Sequence, residues 1–473
     1  MEFALISSII AASFSILKSS MRLFKPSTQL GDLPSIAIDI DAIRILPIAS
    51  QFRSALLQQI ANAKNRIYLC SLYLQHDEAG QEILDALYAA KRLKPALDIK
   101  VFVDWHRAQR GLIGEQKTLG KMAGNAAWYQ TQSEKQDFVI PIYGVPIQTR
   151  ELFGVLHLKG HVIDDTVIYS GASINNVYLH QLDKYRHDRY WFIQNAALAN
   201  SMLNWMRQYF LGASAVCRLD LPEVPATKEI LSDIRAFREQ LKEATYVFNH
   251  TATINQARGL SVTNLVGVGK DNSLNRTLCQ LLAVAEKQIT ICTPYFNFPI
   301  AITREVNRAL ARGVKVAIII GDKTANDFYI PPEQTFKAIG CLPYLYEMNL
   351  RRFAKTHQGD IESGSLQIHL WKEGDNTYHL KGLWIDDLYT LVTGNNLNPR
   401  AFRLDLENAL LFTDPSGELL PQRRQELSDI LQHTTVIAHY QELEKLQDYP
   451  PKVKQLLQRL SRVRLDRLAY RVL

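Results

Sequence analysis

The sequence predicts an α/β protein that contains two copies of one domain. Apolar segments rich in β-branched and aromatic residues alternate with segments of helical periodicity, a pattern typical of α/β proteins. The segment Ile67–Gln75 returns as Ile289–Asn297, and the segment His157–Gly160 returns as His379–Gly382. Both pairs are separated by 222 positions, so one internal duplication accounts for both matches.

The composition is that of a folded protein without structural cross-links. The 473 residues are 47% hydrophobic and 21% charged, with 23 Gly and 18 Pro, which excludes disordered, collagen-like and low-complexity classes. The length suits two or three domains. The five Cys are widely spaced and form no C-x-x-C pair, which argues against a disulfide framework and a thiolate zinc site and favours a reducing compartment.

The predicted elements follow the same order in both halves, with strands read from β-branched and aromatic runs and helices from apolar residues at helical spacing. The first half is predicted to contain strand Ile67–Leu74, helix Gln81–Arg92, strand Ile99–Asp104, a hairpin of Val155–Ile163 and Val167–Gly171, strand Tyr190–Ile193, and a helix from about Ala196. The second half is predicted to contain strand Ile289–Phe296, helix Ala301–Arg312 ended by Gly313, strand Val314–Gly321, a hairpin of Tyr378–Ile385 and Tyr389–Val392, and strand Leu406–Phe412.

These elements divide the chain into five parts. We expect an N-terminal extension over residues 1–30, a first domain over 31–215, a helical connection over 216–260, a second domain over 261–440, and a basic amphipathic tail over 441–473. The apolar stretch Phe3–Leu17 is too short to span a bilayer comfortably, and it lacks the cation that a signal peptide carries at its start.

The C-terminal tail carries almost the whole positive surplus of the chain. Between Pro451 and Leu473 there are seven Lys and Arg against the single acid Asp466, while the net charge of the chain is +7. Apolar residues recur there at helical spacing. Such a tail suits an anionic surface, either a lipid leaflet or nucleic acid. The alternative is a terminal helix that docks on the core and leaves a basic face in solvent.

Both halves contain the pattern H-x-K followed five residues later by Asp: His157, Lys159 and Asp164, and then His379, Lys381 and Asp386. In a strand, residues i and i+2 share a face, so each His points the same way as its Lys. Each Asp lies at odd spacing near the predicted hairpin turn, so we expect it to fix the turn rather than to share that face.

Two imidazoles and two ammonium groups that meet at one site suit displacement at a phosphodiester. The lysines neutralise the non-bridging oxygens as charge develops. One neutral His attacks phosphorus and forms a covalent intermediate, while the other, protonated, donates its proton to the leaving oxygen. This chemistry requires no metal, and the sequence indicates neither a metal site nor a cofactor.

The paired motifs resemble those of the phospholipase D superfamily. From about Met21 to the C-terminus the chain resembles more closely the bacterial phosphatidylserine synthase family within that superfamily. The blocks that carry this resemblance are Val101–Arg110, Tyr143–Ile147, Gly321–Ile330, Leu342–Tyr346 and Thr393–Arg400. The resemblance implies two phospholipase-D-like α/β/α sandwich domains with the active site at their interface.

The resemblance also implies an activity and its residues. It implies transfer of the phosphatidyl group of CDP-diacylglycerol to L-serine, with release of CMP, through a phosphohistidine intermediate and without a cofactor. The six motif residues form the catalytic set, with His157 as nucleophile and His379 as acid/base, although the pseudo-symmetric site allows these roles to be exchanged. A carboxylate about 28 residues after the motif His orients its imidazole in the superfamily, which adds Glu407 behind His379; in the first half Asp188 is the nearest candidate.

Five further residues are candidate substrate contacts. The superfamily motif continues to Gly-Ser-x-Asn, and the corresponding turns of this chain leave Ser173, Asn396 and Asn398 as polar contacts, with ordinary turn chemistry as the alternative. Trp105 and His106 follow the C-terminal end of a predicted strand, where ligands of α/β sheets often bind. They are candidates for holding cytidine or serine, with packing of Trp105 as the alternative.

Several functions share these motifs. A cardiolipin-synthase-like transferase, or a phospholipase or phosphodiesterase that uses water, would perform the same first half-reaction, and only the resemblance of the whole chain favours serine. A nuclease is the less favoured reading, and a membrane-docking protein with an inactive site would be expected to have lost a motif His. We expect a cytoplasmic enzyme attached peripherally to the inner face of the cell membrane; the sequence indicates no oligomeric state.

Overall fold

The computed structural model describes residues 30–110, 124–247 and 259–462. Nearly all of the predicted N-terminal extension, and residues 463–473 of the predicted tail, lie outside the described residues. The first half contains strands β1 to β10 and helices α1 to α5, and the connection contains α6. Their bounds are β1 Ile36–Ala37, β2 Ile43–Leu46, α1 Ala49–Asn62, β3 Arg66–Cys70, α2 Glu78–Leu93, β4 Asp98–Asp104, α3 Trp105–Gln109, α4 Asn125–Glu134, β5 Ile142–Val145, β6 His161–Ile163, β7 Thr166–Tyr169, β8 Arg186–His187, β9 Tyr190–Gln194, α5 Ala196–Met206, β10 Cys217–Arg218 and α6 Leu231–Lys242.

The second half contains strands β11 to β19 and helices α7 to α13. Their bounds are β11 Ser261–Val268, α7 Ser273–Val284, β12 Gln288–Thr293, α8 Ile300–Ala311, β13 Lys315–Gly321, α9 Leu342–Thr356, α10 Gln358–Glu362, β14 Leu366–Trp371, β15 Thr377–Tyr378, β16 Gly382–Ile385, β17 Tyr389–Thr393, α11 Pro399–Arg403, β18 Leu406–Thr413, α12 Leu420–Leu431, β19 Thr434–Val436 and α13 Pro451–Arg462.

Each half forms one mixed sheet, and the two sheets have the same topology. The first sheet runs in the order β10-β5-β4-β3-β6-β7-β9-β2, and the second in the order β1-β11-β18-β17-β16-β12-β13-β14-β19. In both, three parallel strands are followed by an antiparallel hairpin, β6–β7 or β16–β17. The duplicated α/β architecture predicted from the sequence is therefore confirmed.

The predicted domain limits differ from the sheets at two points. Strand β1, which we assigned to the first domain, pairs with β11 of the second sheet. Strand β10, which we assigned to the helical connection, pairs with β5 of the first sheet. The hydropathy pattern predicts neither pairing, because a strand of two residues is too short to show which sheet it joins.

The first predicted hairpin strand, Val155–Ile163, was too long. Regular pairing in the sheet begins only at His161, because the preceding motif segment leaves the sheet and contacts the other half of the protein. The chain bends at Gly160, which has φ of 113°, a conformation that residues with a Cβ rarely adopt. The second motif lies likewise between two strands, β15 and β16.

The two halves are joined by packing and by a buried ion pair. Arg189, which precedes β9, donates two hydrogen bonds, of 2.8 and 2.7 Å, to Glu426 of α12, which also accepts one from the Trp191 indole. Trp191 in turn packs on Phe412 of β18, with ring centroids 4.9 Å apart. This packing and this ion pair hold the two halves in a defined arrangement around any site between them.

The C-terminal helix α13 docks on the second half. Val453 and Leu457 are buried in a cluster with Tyr344 and Tyr449, while Lys452 and Arg459 are exposed. The alternative of a docked helix with a solvated basic face therefore describes this segment as far as Arg459. Across the three described ranges, no helix combines the length and apolar character needed to cross a membrane.

Candidate active site at the interface of the two halves

The first motif is held by strand β18 of the second half. The backbone N–H of His157 donates to the carbonyl of Leu406 at 3.0 Å. The side chain of Asn408 accepts from the backbone N–H of Lys159 and donates to its carbonyl, both at 2.8 Å. This pairing turns the side chains of His157 and Lys159 towards the interface, where they are 7% and 1% exposed.

The second motif is held by strand β8 of the first half. Strand β8 pairs in parallel with β15, and the backbone N–H of His379 donates to the carbonyl of His187 at 2.8 Å. His379 and Lys381 are as buried as their counterparts, at 6% and 0% exposed. Each motif is therefore fixed by a strand of the opposite half, so neither half contains a complete site.

Each imidazole contacts a carboxylate from the opposite half. Nδ1 of His157 lies 2.9 and 3.0 Å from the two carboxylate oxygens of Glu407. Nδ1 of His379 lies 2.9 Å from Oδ2 of Asp188. The prediction that Glu407 orients His379 was wrong, because the strands cross between the halves and exchange the partners. The carboxylate that contacts His379 is Asp188, named only as the nearest candidate in the sequence.

Burial and the lysines favour the neutral form of the first imidazole. Burial, followed by the charges of Lys159 and Lys381, lowers the pKa of His157 well below its ordinary value. Burial and the charge of Asp405 raise the pKa of Glu407 well above its ordinary value. Both shifts disfavour an imidazolium–carboxylate ion pair and favour the neutral imidazole of His157.

The two lysines differ in their surroundings. Nζ of Lys159 donates to Oγ of Ser173 at 3.4 Å. Nζ of Lys381 contacts the imidazole of His379 and lies 3.6 Å from Oδ2 of Asp188. Burial, together with the charge of Lys159, lowers the pKa of Lys381 to about 7 against the opposing effect of Asp188. The site is therefore short of negative charge and suited to an anionic substrate.

His379 has aromatic neighbours. The hydroxyl of Tyr178 lies 2.9 Å from Nδ1 and 3.2 Å from Nε2 of His379, and the ring of Tyr295 lies edge-on with its centroid 6.4 Å away. Burial, then Lys381 and Arg186, lower the pKa of His379 well below its ordinary value. A negative charge brought by substrate would counter these cations and favour the protonated form.

The two motif aspartates support the turns and do not line the site, so their place in the predicted catalytic set is not supported. The Asp164 carboxylate accepts from three consecutive backbone N–H groups, those of residues 64 to 66, at 2.7 to 3.1 Å. Asp386 accepts in the same way from residues 286 to 288, at 2.8 to 3.0 Å. These bonds agree with the odd spacing of each Asp, which predicted a turn-fixing role.

Of the predicted substrate contacts, Ser173 lies beside a motif lysine, since it contacts Lys159 as described above. Asn396 is the equivalent residue of the other turn, and its Oδ1 is buried without a hydrogen-bond partner among the described residues. Contact of either residue with substrate stays a prediction.

The structure does not support the other three predicted contacts, because each side chain packs against or hydrogen-bonds another part of the protein. Trp105 is fully buried and donates its Nε1–H to Thr227 at 3.0 Å. His106 contacts the carbonyl of Gln148 through Nε2 at 2.6 Å. Asn398 caps the N-terminus of α11, accepting from the backbone N–H of Ala401 at 2.9 Å.

Two glycines allow the turns to approach the motifs closely. A Cβ at Gly171 would lie 2.6 Å from Oδ1 of Asp188, and a Cβ at Gly394 would lie 2.6 Å from the side chain of Lys159. Neither contact is tolerable for a larger residue. In the described part of the chain, no group of three His, Cys, Asp or Glu side chains is arranged to hold a metal ion.

Sequence reasoning missed several residues beside His379. Tyr178 and Arg186 of the first half come together with Tyr295 and Asp327 of the second only in the folded protein. The sequence held two signals: Tyr295 lies in the repeated segment Ile289–Asn297, and Asp327 lies in the block Gly321–Ile330, which carried part of the family resemblance.

Comparison with known proteins agrees with this geometry. The family model described as "Cardiolipin synthase, PLD-like domain" matches residues 56–210 and again residues 278–431. The chain belongs to this phospholipase-D-like family, with one copy of the domain in each half.

Individual relatives are similar over almost the whole chain. The CDP-diacylglycerol–serine O-phosphatidyltransferase of Escherichia coli is 51% identical, over 95% of this chain and 98% of its own length. The enzyme of the same name from Haemophilus influenzae is 51% identical, over 94% and 98%. The crystal structure of the Haemophilus influenzae phosphatidylserine synthase superposes with a TM-score of 0.90 at 50% identity, covering 94% of this chain and 98% of that one.

Proposed function

We propose that this protein transfers the phosphatidyl group of CDP-diacylglycerol to L-serine, giving phosphatidylserine and CMP. Relatives that bear this activity in their names are half identical to the chain over nearly its full length. The observation that carries the chemistry is the pair of buried His–Lys sets, each backed by a carboxylate of the opposite half. Such a site is complete only when both halves are assembled.

The first half-reaction forms a phosphatidyl-enzyme. Nε2 of His157, unprotonated because Nδ1–H is donated to Glu407, attacks the phosphorus that carries the diacylglycerol. The P–N bond forms as the bond from phosphorus to the CMP oxygen breaks. Nε2–H of His379 gives its proton to that oxygen, so CMP leaves.

The second half-reaction reverses these proton movements with serine. Nε2 of His379, now unprotonated, accepts the proton of the serine hydroxyl as its oxygen attacks phosphorus. The P–O bond to serine forms, the P–N bond to His157 breaks, and phosphatidylserine is released. Lys159 and Lys381 neutralise the non-bridging oxygens in both transition states.

Two alternatives share the first half-reaction. A cardiolipin-synthase-like transferase would use a lipid hydroxyl as acceptor, and a phospholipase or phosphodiesterase would use water. The similarity over the whole chain to enzymes named for serine favours serine over both. The four His and Lys side chains are common to all these reactions and do not distinguish them.

We further propose that the enzyme works at the inner face of the cell membrane, attached peripherally from the cytoplasm. Its lipid substrate resides in the bilayer, and α13 presents Lys452 and Arg459 to solvent. Because Val453 and Leu457 are already buried against the protein, this helix offers the membrane charge attraction rather than an apolar face.

The deciding experiment measures CMP release from CDP-diacylglycerol in detergent micelles, with and without L-serine. We expect release to rise sharply with serine, with phosphatidylserine as the lipid product. Equal release without serine, ending in phosphatidic acid, would identify a hydrolase instead. Absence of CMP release under both conditions would exclude the proposed donor.

A further inference from the structure

Arg186 and Asp327 form a partly exposed ion pair at the interface. Nη1 of Arg186 lies 3.5 Å from Oδ2 of Asp327, and their side chains are 15% and 17% exposed. The structural pair Arg189–Glu426 in the same interface is closed at 2.7 Å, with side chains 1% and 8% exposed. A separation of 3.5 Å is at the limit of a hydrogen bond, so the charges of Arg186 and Asp327 attract each other at a longer distance than those of Arg189 and Glu426.

Each member of the pair is fixed from behind by an uncharged group. Nε of Arg186 donates to Oγ1 of Thr377 at 3.1 Å, and the guanidinium lies 4.8 Å from the ring centroid of Tyr178. Asp327 accepts a hydrogen bond from the hydroxyl of Tyr295. The opposite charges are therefore held side by side.

The same two tyrosines place the pair beside His379. Tyr178 contacts both ring nitrogens of His379, and the ring of Tyr295 packs edge-on against it. Burial raises the pKa of Asp327, but the charges of Arg186 and His379 outweigh it and hold that pKa below its ordinary value. Asp327 is thus an anion, and the second imidazole faces one positive and one negative group.

We propose that Arg186 and Asp327 form the acceptor site and recognise the zwitterionic head of serine. Arg186 binds the α-carboxylate and Asp327 binds the α-ammonium group, which leaves the hydroxyl on the next carbon facing His379. This inference rests on the proposed function and names the residues that select its acceptor.

The chemistry of the acceptor matches what the pair offers. Serine carries a positive and a negative group on one carbon, so a cation and an anion held about 3.5 Å apart present complementary partners to both. Water and a lipid hydroxyl have no such pair of charges. A phosphate group, such as that of CMP, would be attracted by Arg186 but repelled by Asp327, which favours the amino acid as the occupant.

The first test compares acceptors with the unmodified enzyme. Ethanolamine keeps the hydroxyl and ammonium but lacks the carboxylate, whereas 3-hydroxypropanoate keeps the hydroxyl and carboxylate but lacks the ammonium. We expect each to have a kcat/KM at least about 10-fold below that of L-serine, because each loses one charge-assisted hydrogen bond. Either acceptor performing as well as serine would overturn the assignment.

The second test uses Asp327→Asn, which keeps an oxygen for Tyr295 but loses the charge, and Arg186→Lys, which keeps the charge but loses the planar fork. We expect Asp327→Asn to raise the KM for serine at least about 10-fold and to remove most of the discrimination against 3-hydroxypropanoate. We expect Arg186→Lys to raise the KM for serine in the same way and to remove most of the discrimination against ethanolamine. Discrimination that stays as in the unmodified enzyme would contradict the assignment.

The third measurement separates acceptor binding from the first half-reaction. Exchange of labelled CMP into CDP-diacylglycerol proceeds without serine, and we expect the variants to lose far more serine transfer than exchange. A parallel loss of both would show that the pair only positions His379 and would overturn the inference. An altered inhibition by CMP with an unchanged KM for serine would assign Arg186 to phosphate instead.

A matched control is available in the same region. Lys184 and Asp375 also lie 3.5 Å apart, but their side chains are 65% and 86% exposed. Asp375→Asn removes the same charge and should leave the KM for serine unchanged. If the unmodified enzyme makes no phosphatidylserine, the proposed function fails; if it makes phosphatidylserine but uses all three acceptors alike, only the inference fails. The acceptor comparison needs no variant, so it decides the question even if Asp327→Asn does not fold.

Discussion

The two halves share a scaffold but differ around their imidazoles. The strand order, the hairpin aspartates and the glycines of the turns are repeated. The carboxylates are not: His157 contacts Glu407, whereas His379 contacts Asp188 together with the Tyr178 hydroxyl. The duplication therefore supplied two equal sets of reacting groups, and later differences in their neighbours supplied unequal roles.

The surroundings suggest which role belongs to which half. His157 contacts one carboxylate in a dry setting that favours the neutral imidazole, as a nucleophile requires. His379 contacts the Tyr178 hydroxyl and lies beside the pair Arg186–Asp327, the proposed acceptor site. We propose on this basis that His157 attacks phosphorus and that His379 moves the proton.

Removing each imidazole should produce the largest effects and should break the equivalence of the halves. We expect His157→Ala to abolish turnover and the labelled phosphatidyl-enzyme with every substrate, since the attacking atom is missing. His379→Ala should lower the rate with CDP-diacylglycerol by about 10² to 10⁴-fold, the usual contribution of a general acid. A phosphatidyl ester of p-nitrophenol, whose leaving group needs no proton, should restore formation of the phosphatidyl-enzyme in His379→Ala alone.

Rescue of His157→Ala instead would mean that the roles are exchanged, and rescue of neither would contradict separate roles. The exposed His433 provides the control, because its imidazole contacts Glu373 and neither motif, so His433→Ala should leave the rate unchanged. Circular dichroism of each variant checks that the fold is retained.

Replacing the carboxylates should give the next largest effects. Glu407→Gln and Asp188→Asn keep the shape of each side chain but remove its charge, and an amide behind a catalytic imidazole can cost up to about 10⁴-fold in kcat. We expect Glu407→Gln to slow formation of the phosphatidyl-enzyme with both CDP-diacylglycerol and the p-nitrophenyl ester. Asp188→Asn should slow only the reaction of CDP-diacylglycerol. Asp188 contacts His379, and His379 donates the proton that only the CMP leaving group needs.

Single-turnover measurements of CMP and p-nitrophenol release check this difference. If both variants lowered the rates with both substrates equally, the two carboxylates would act on the site as a whole and not each on its own imidazole. If Asp188→Asn affected the activated ester and Glu407→Gln did not, the assignment of the roles would have to be reversed.

The comparison of the halves also explains which features the sequence predicts. Motif spacing and strand order are local, so the duplicated fold and the four His and Lys were predictable from repeats at one offset. The partner of Glu407 was not predictable in this way. Its spacing of 28 residues from His379 does not reveal that the first motif pairs with β18 of the second half, which brings Glu407 to His157. Trp105 was misassigned because its position at a strand end is visible in the sequence, while its burial against Thr227 is not.

The hairpin aspartates should give the smallest effect, and it should be equal in both halves. Asp164 and Asp386 have φ of 49° and 50°, and each accepts three backbone N–H groups. Replacement by Ala removes these bonds, at a cost of about 2 kcal/mol of stability. It also places a Cβ in a left-handed conformation, which adds about 1 kcal/mol, whereas Asn tolerates that conformation and keeps one acceptor.

We therefore expect Ala to lower the thermal unfolding temperature more than Asn at both positions, and by similar amounts at residues 164 and 386. The KM for serine and the yield of phosphatidyl-enzyme should change little, because neither carboxylate contacts a motif His or Lys in the hydrogen bonds of the described residues. Loss of phosphatidyl-enzyme at an unchanged unfolding temperature would place an aspartate in the chemistry. Unequal losses of stability at residues 164 and 386 would show that the two halves differ in their hairpin turns as well as around their imidazoles.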